Sequence, residues 1–221
     1  MKRFLMLWFC AILPLVAGTI TRTISFSPQD LVLSEVDDYD VVEIRGHSVL
    51  LKAGAPRVPR VMEKLVIPAG ATVVGVEIIA EEWQDVPGFY KLVPAQPDVP
   101  LPVPGQEITP QWYAPRPEIY EAAEFYPAMK VRLNGVGSMS GYRIAHVELF
   151  PVRYQPVSGV LQLATRITYR LSYREDVVSD VIATVRQRAV FGSAVAALVV
   201  NPEDVVRFAP RLGPSERIDT T

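Results

Sequence analysis

The sequence predicts an all-β protein, an antiparallel β-sandwich with Greek-key-like connections, followed by a short C-terminal helical segment. Apolar and polar residues alternate at period two in about seven stretches spaced roughly 8 to 15 residues apart, with no helical pattern between them. Twenty prolines against thirteen glycines favour short strands and rigid loops over a helical bundle. With 221 residues, 49% of them hydrophobic, the chain can form one sizeable domain with appendages.

The charge balance argues against a nucleic-acid partner. The chain carries 22 basic and 24 acidic side chains, which gives a formal charge of −2. Domains that bind nucleic acid through a basic surface have isoelectric points above about 9. The value for this sequence is near 5.8.

The N-terminus has the three-part pattern of a secretory signal peptide. Lys2 and Arg3 precede the apolar residues 4–16, and the small residues Ala17 and Gly18 follow. This apolar run is shorter than the roughly 20 residues that span a bilayer. We therefore predict a signal peptide at residues 1–18 and a secreted, periplasmic or cell-surface protein without membrane attachment after cleavage. A signal anchor or a buried core helix is the alternative interpretation.

Cleavage at this position would remove Cys10, the single cysteine of the chain. The mature protein would then be stabilised by its apolar core and not by disulfides. A cysteine nucleophile would also be excluded.

The first predicted strands precede a turn at residues 68–70. Residues 39–52 are predicted to form a β-hairpin that turns at Gly46-His47, and residues 65–67 a short strand. Residues 72–82 are predicted to alternate regularly, with Val74, Val76, Ile78 and Ala80 on one face and Val73, Gly75, Glu77 and Ile79 on the other. Residues 89–93 are its expected partner strand.

Residues 87–127 are predicted to form one long loop. They contain ten of the twenty prolines, which cannot donate hydrogen bonds to a ladder. Loops of this length are usually functional or disordered. The aromatic residues Trp112, Tyr113, Tyr120, Phe125 and Tyr126 indicate a loop that packs on something. Arg116 lies between Pro115 and Pro117, which restrict the backbone to an extended form; an ordinary solvated arginine is the alternative.

Three further strands are predicted at residues 129–136, 142–154 and 160–173. The first two are joined by a glycine-rich turn at residues 135–141, and the last two by a hairpin turn at residues 155–159. In the third strand one face is expected to be buried, namely Leu161, Leu163, Ile167, Tyr169, Leu171 and Tyr173.

The apolar spacing changes after Tyr173. Helical spacing over residues 177–185 and a second apolar run over 191–200 predict a helical segment that ends at Asn201-Pro202. From Arg207 on we expect a frayed tail. The predicted division is a β-sandwich at 19–174, a helical segment at 175–202 and a tail at 203–221.

No catalytic or metal-binding motif stands out. His47 and His146 lack neighbouring ligands and are interpreted as a turn residue and a strand-face residue. Residues 135–141 have Met139 where a nucleophile elbow needs serine. Asp37, Asp38 and Asp40 lack calcium-loop spacing and are interpreted as a solvated acidic loop. We predict no metal and no cofactor; a serine or carboxylate site is neither supported nor excluded.

Six short motifs occur in a fixed order, and the ordered set is more specific than any single motif. They are Gly54-Ala55-Pro56-Arg57-Val58-Pro59, Leu65-Val66-Ile67-Pro68-Ala69-Gly70-Ala71, Phe125-Tyr126-Pro127, Gly141-Tyr142-Arg143, Pro151-Val152-Arg153-Tyr154-Gln155-Pro156 and Gly159-Val160-Leu161. Together they resemble the N-terminal propeptide of the gingipain family of secreted cysteine proteases, peptidase family C25. The resemblance covers about residues 34–173, and Asn201-Pro202 resembles the end of the family's prodomain.

The resemblance implies a β-sandwich prodomain that assists the folding of a cysteine protease and blocks its active site until it is removed. By analogy with the arginine-specific members, Arg116 with Pro115 and Pro117 is the candidate inhibitory loop. Trp112, Tyr113 and Tyr120 are candidate partner contacts. The family's catalytic histidine and cysteine belong to the domain that follows, so no catalytic residue is expected here. The partner is a gingipain-like protease domain, in cis in a longer product or in trans.

The competing interpretation is a secreted adhesion or carbohydrate-binding β-sandwich. In that case Trp112, Tyr113 and Tyr120 would form a stacking platform for a sugar. An independent enzyme is a third and weaker alternative.

Overall fold

The computed structural model describes residues 16–98, 111–175 and 182–213. Strands and helices follow one another in the order β1 (Val16–Ser25), β2 (Leu31–Val36), β3 (Tyr39–Ile44), β4 (Ser48–Val49), β5 (Pro59–Ile67), β6 (Ala71–Val86), α1 (Pro117–Tyr120), β7 (Val131–Met139), β8 (Tyr142–Leu149), β9 (Val152–Gln155), β10 (Val160–Glu175), β11 (Ile182–Ala183), α2 (Val185–Leu198) and β12 (Arg211–Leu212).

Two four-stranded antiparallel sheets form the sandwich in these described ranges. The first has the order β1-β10-β6, with β9 also paired to β10, and the second has the order β4-β5-β8-β7. The chain crosses between the sheets from β5 to β6, from β6 to β7 and from β8 to β9. Side chains of both sheets share one buried apolar cluster. The predicted antiparallel sandwich fold is confirmed.

Strand β10 supplies the largest continuous part of this core. All six side chains predicted for its inner face are at most 4% exposed. Tyr169 reaches across the sandwich and donates a hydrogen bond to Oε2 of Glu63 on β5, at 2.5 Å. Burial, together with the neighbouring Glu63 carboxylate, raises the pKa of Tyr169 above its usual value of 10.0. The hydroxyl therefore stays protonated and links the two sheets.

The regular alternation predicted for residues 72–82 is wrong. Tyr173 pairs with Val73 whereas Ser172 pairs with Gly75, so Val74 bulges out of the ladder and is 64% exposed. A second bulge leaves Ile79 exposed, between the pairs made by Ile78 and Ala80. Each bulge moves the following residues to the other face. Val73, Val76 and Ile78 consequently all pack against the core.

The hairpin predicted at residues 39–52 is also wrong. β3 pairs with β2, which precedes it, and β4 pairs with β5. The β2–β3 turn lies at Asp37-Asp38, where Asp37 has a φ of 51°. Alternation marks a strand but does not identify its partner, which explains the error. Residues 89–93, the expected partner of β6, form no strand.

The hairpins of the second half are close to the prediction, but residues 142–154, predicted as one strand, form β8 and β9, which lie in different sheets. β9 and β10 pair from Gln155 and Val160 onwards, which confirms that turn. β7 extends to Met139 and reaches β8 through a tight turn at Ser140-Gly141, where φ is 47° and 87°. The glycine-rich stretch is therefore mostly strand and not turn.

The C-terminal part differs from the prediction at both ends. Helix α2 begins after Thr184, whose side chain and that of Gln187 form a capping box. Ile182, predicted as helical, lies in β11 and pairs with Arg211 in β12; residues 177, 178 and 181 lie outside the described residues. The tail expected from Arg207 is structured instead, since Phe208 is 5% exposed and contacts the ring of Tyr173, and β12 pairs with β11. The domain boundaries themselves stay predictions.

The predicted signal peptide falls almost wholly outside the described residues. β1 begins at Val16, and its Gly18 pairs with Tyr173. A Cβ at Gly18 would lie 2.4 Å from the Tyr173 ring, so this close contact requires glycine. Among the described helices, neither length nor apolarity is sufficient for crossing a bilayer.

Asn201 attaches the C-terminal part to the sandwich. The side chain is fully buried, accepts a hydrogen bond from the Val66 N–H at 2.9 Å and donates one to the Val66 carbonyl at 3.0 Å. Its amide also donates to Asp204, and the Val200 N–H donates to the carbonyl of Lys64. The amide thus pairs with β5 as a neighbouring strand would.

Replacing this amide by a carboxylate should destabilise the protein. Asn201→Asp removes the NH₂ donor and places a charge against the Val66 carbonyl, which should lower the free energy of unfolding by about 1–3 kcal/mol or more. Urea denaturation at pH 7 measures the change. Glu203→Gln, an exposed change in the same turn, is the control and should have little effect. Equal midpoints for the two variants would contradict this role for Asn201.

A buried carboxylate is neutralised in the second sheet. Glu148 on β8 is fully buried. Its Oε1 accepts a hydrogen bond from Arg60 Nη1 at 3.2 Å, and its Oε2 accepts one from Arg132 Nε. The arginines come from β5 and β7, the strands on either side of β8. One buried negative charge therefore links three strands.

This arrangement predicts a rescue. The double variant Arg60→Met/Arg132→Met leaves the Glu148 carboxylate buried without a counter-charge and should lose about 3 kcal/mol or more. Adding Glu148→Met removes the uncompensated charge and should recover most of the lost stability, as measured by urea denaturation. A triple variant no more stable than the double variant would show that the loss has another cause.

Candidate functional site

The proline-rich segment, residues 87–127, is hydrogen-bonded through its described residues to the loop at residues 50–58, which precedes β5. Arg57 N–H donates to the Val93 carbonyl at 2.9 Å, Ala95 N–H to Ala55 at 2.7 Å, and Gly54 N–H to Ala95 at 2.9 Å. Gly54 has a φ of 70°, and a Cβ there would lie 2.6 Å from the Ala114 carbonyl oxygen. Residues 54–57 of the first motif therefore supply backbone hydrogen-bond partners to a segment whose prolines cannot donate hydrogen bonds.

The β2–β3 ribbon holds the same segment from another side. Asp40 N–H donates to the Lys91 carbonyl at 2.8 Å, and Val93 N–H donates to the Asp40 carbonyl at 2.9 Å. The Asp40 carboxylate also accepts the Lys91 N–H at 2.6 Å. Residues 91–93 thus lie between the ribbon and the loop before β5.

Three tyrosine hydroxyls fix the backbone of this segment. Tyr120 donates to the Leu92 carbonyl at 2.8 Å, Tyr154 to that of Tyr90 at 2.9 Å, and Tyr90 to that of Pro87 at 2.8 Å. Burial raises the pKa of all three hydroxyls above 10.0. Tyr120, expected as a partner contact, therefore uses its hydroxyl inside the chain.

Gln96 connects the two described parts of the loop. Its amide donates to the Tyr113 carbonyl at 3.0 Å and accepts the Tyr113 N–H at 2.8 Å. It also donates to the Pro94 carbonyl. A side-chain amide paired with a backbone amide acts like one rung of a sheet, so Tyr113 and the adjacent Trp112 are held in place. Sequence analysis did not single out Gln96, because a lone glutamine carries no pattern.

Among the three aromatic residues predicted as partner contacts, Trp112 is the exposed one, at 56%. Tyr113 and Tyr120 are half-buried. The indole of Trp112 lines a groove of about 490 Å³ that also includes Pro94, Gln96 and Asp98. The three side chains therefore differ in exposure.

Arg116 is anchored at its backbone and partly at its side chain. Its N–H donates to the Gly54 carbonyl at 2.9 Å, and Nε donates to the Ala53 carbonyl at 2.7 Å. The side chain is 41% exposed, and Nη1 lies 3.8 Å from the Glu118 carboxylate. Arg116 also precedes α1, with the extended ψ of 116° expected before proline.

Two motifs of the resemblance meet in space. Tyr126 and Tyr154 exchange two backbone hydrogen bonds, each of 2.8 Å. These bonds join the Phe125-Tyr126-Pro127 motif to the motif at residues 151–156. The Arg153 guanidinium lies 4.2 Å from the Trp83 ring centre and 4.4 Å from that of Phe125. Cation–π contacts contribute about 0.5–1 kcal/mol at exposed sites and about 2 kcal/mol when desolvated; these three side chains are half-buried. The segment is therefore braced at its C-terminal end as well.

The described residues contain no group of three or more His, Cys, Asp or Glu side chains that could hold a metal ion. His47 is exposed beside the ring of Phe26, and His146 lies half-buried on β8. The three aspartates lie at the β2–β3 turn and its end. In its described residues this surface is a proline-rich segment hydrogen-bonded to a β-sandwich.

The comparisons with known proteins agree with this class. The family model Propeptide_C25 matches residues 18–204. The chain belongs to the C25 propeptide family, so the resemblance to gingipain propeptides is confirmed. Lys-gingipain HG66 of Porphyromonas gingivalis is 28% identical over 169 residues, and Lys-gingipain of strain ATCC 33277 is 28% identical over 174 residues. Each alignment covers 73% of this chain and 10% of the relative, so the chain spans about a tenth of their length.

Two solved structures share the fold. The complex of Porphyromonas gingivalis RgpB pro- and mature domains matches with a TM-score of 0.65 and 16% identity, over 84% of this chain and 93% of the matched chain. A structure that gives insight into the zymogenic latency of gingipain K, from the same organism, matches with a TM-score of 0.53 and 22% identity. The match covers 72% of this chain and 98% of the matched chain.

The Tyr120 anchor predicts a measurable pH dependence. Since the folded-state pKa is raised, the folded protein keeps the proton where the unfolded chain releases it, so stability should fall as pH rises above 10. Tyr120→Phe should cost about 1 kcal/mol at pH 7, by leaving the Leu92 carbonyl without this donor, and should lose less stability between pH 10 and 11.

Urea denaturation at both pH values measures the effect. Tyr113→Phe, which removes a hydroxyl from the same segment without touching the Leu92 bond, is the control. An identical alkaline loss in wild type and Tyr120→Phe would contradict the assignment.

Proposed function

We propose that this chain is the prodomain of a gingipain-like cysteine protease, which assists folding of the protease domain and keeps it latent by placing the proline-rich loop at its active site. The family membership of residues 18–204 is the observation that carries the proposal. The related folds come from a complex of pro- and mature domains and from a study of zymogenic latency. The protease domain acts in cis in a longer product or in trans.

The bracing of the loop supports an inhibitory role. An inhibitor that is ordered before it binds loses little conformational entropy on docking. Here Gln96, Tyr120 and Arg153 restrain the segment through side-chain contacts, and the loop before β5 and the ribbon restrain its backbone. A segment held in this way suits a substrate-like inhibitor.

Arg116 is our candidate for the inhibitory side chain, with Pro115 and Pro117 restricting its backbone. The contact from Nε to Ala53 leaves the guanidinium partly exposed at 41%. A carboxylate in a specificity pocket could replace Glu118 as the partner of the Nη atoms, through short charge-assisted hydrogen bonds. Trp112, held in place through the Gln96–Tyr113 bonds, is our candidate for a separate partner contact.

The same proposal includes the export of this chain and its non-catalytic role. The predicted signal peptide would direct the chain to the periplasm, the cell surface or the medium. A propeptide of this kind acts without a catalytic residue or a cofactor of its own. The carbohydrate-binding alternative needs three aromatic faces presented together, which the half-buried Tyr113 and Tyr120 do not favour.

Inhibition in trans tests the proposal. The purified chain is titrated against the mature catalytic domains of RgpB and Lys-gingipain, and the inhibition constant is measured. Arg116→Ala should raise that constant by about thirtyfold or more, because loss of an interface anchor typically costs about 2 kcal/mol or more. Arg116→Lys keeps the charge and should retain part of the inhibition.

Controls separate docking from folding. Arg166→Ala, an exposed change on β10, should inhibit as wild type does. Thermal unfolding of Arg116→Ala shows whether loss of the Ala53 contact has loosened the loop. Unchanged inhibition by Arg116→Ala would exclude Arg116, and the absence of inhibition of either enzyme by the wild-type chain would overturn the proposed function.

A further inference from the structure

An apolar groove lies between the β2–β3 ribbon and the proline-rich segment. Its volume is about 490 Å³, and its lining includes Val36, Val41, Val49, Leu51, Val93 and Trp112. Val41 is 5% exposed, whereas Val36 and Trp112, at 53% and 56%, present large apolar surfaces to solvent. Contiguous exposed apolar surface rimmed by polar residues is a feature of interaction sites and binding grooves.

The ribbon extends the apolar surface beyond the groove. Ser34 pairs with Val41, and Val36 with Tyr39. Because alternate residues share a face, Val32 lies on the same face as Val36, and it is 39% exposed. In the described residues β2 pairs with β3 alone, so its outer edge is available to another extended chain.

The tip of the ribbon is strongly acidic. Residues 31–40 contain Glu35, Asp37, Asp38 and Asp40 and no lysine or arginine. Glu35 lies directly opposite Asp40 in the ladder, a like-charge pair that destabilises a sheet. Asp98 adds a carboxylate to the groove itself.

Two of the nearby basic side chains are already engaged. Arg57, which lines the groove, is 2.5 Å from the Glu43 carboxylate. Lys91 Nζ lies 4.4 Å from the centre of the Tyr39 ring. The surface therefore combines an apolar floor with an excess of negative charge at the ribbon tip, to which a positively charged partner is complementary.

We propose that this groove and the acidic tip of the ribbon form a second docking surface, which binds an extended segment of the protease domain that carries a large apolar side chain flanked by lysine or arginine. The apolar side chain enters the groove against Trp112, and the basic residues lie over Asp37 and Asp38. This inference rests on the proposed function and names a contact separate from Arg116. The Gln96–Tyr113 bonds hold Trp112 in place before binding, so little order has to be gained.

Binding of the purified chain to the catalytic domain of Lys-gingipain, with its active-site cysteine replaced by alanine so that the site stays open, tests this surface. Asp37→Asn/Asp38→Asn should weaken binding about fivefold at 50 mM salt and much less at 500 mM, because salt screens exposed charges. Asparagine tolerates the positive φ of Asp37, so the turn should persist. Trp112→Ala should weaken binding about tenfold at both salt concentrations.

The matched control removes two charges elsewhere. Glu77→Gln/Glu82→Gln lies on β6, where the carboxylates pair with Arg170 and Arg166, and it should bind as wild type does. Hydrogen exchange should show protection of residues 31–41 in the complex. Unchanged affinity in both groove variants, alongside normal wild-type binding, would overturn the second surface and leave the prodomain role intact.

Two other outcomes decide the remaining points. Protection of residues 31–41 by self-association of the chain, in the absence of protease, would overturn the inference in favour of a second copy as the occupant. The absence of any binding by the wild-type chain would overturn the proposed function, and this inference with it.

Discussion

The buried inner face of β10 is the constraint on which the other features depend. β10 pairs with three strands, β1, β6 and β9, and its inner side chains fill the space between the two sheets. The hairpin from β9 into β10 fixes Tyr154, whose backbone pairs with Tyr126 and whose hydroxyl binds the Tyr90 carbonyl. The core therefore determines where both ends of the proline-rich segment lie.

Much of the fold could be predicted from the sequence, because burial on one face of a strand leaves a period of two. β10 and its hairpin with β9 followed that rule and were identified correctly. β6 was identified as a strand but its faces were not, because the bulges at Val74 and Ile79 shift them. Gly75 beside the first bulge is a weak marker, and the second bulge has none. The partner of β3 was missed because pairing depends on the tertiary arrangement, which local alternation does not encode.

The candidate site was predictable in position and not in detail. Proline content located the loop, and the ordered motifs identified the family. The hydrogen bonds of Gln96 and the stacking of Arg153 between two rings depend on residues far apart in sequence, so no local pattern reveals them. The same holds for Arg116, whose flanking prolines indicated an extended backbone but not the anchoring contact with Ala53. Trp112, Tyr113 and Tyr120 looked equivalent in sequence and differ in exposure.

The pairing of β1 with β10 has a consequence for the order of assembly. Val16 is aligned with Glu175, so the first strand to be synthesised waits for nearly the whole sandwich before its partner exists. At about 5–20 residues per second, this delay is on the order of ten seconds during translation. Pairing between such distant segments also slows folding. Until β10 has been synthesised, β1 of the nascent chain therefore lacks the strand with which it pairs, and this sheet cannot be completed.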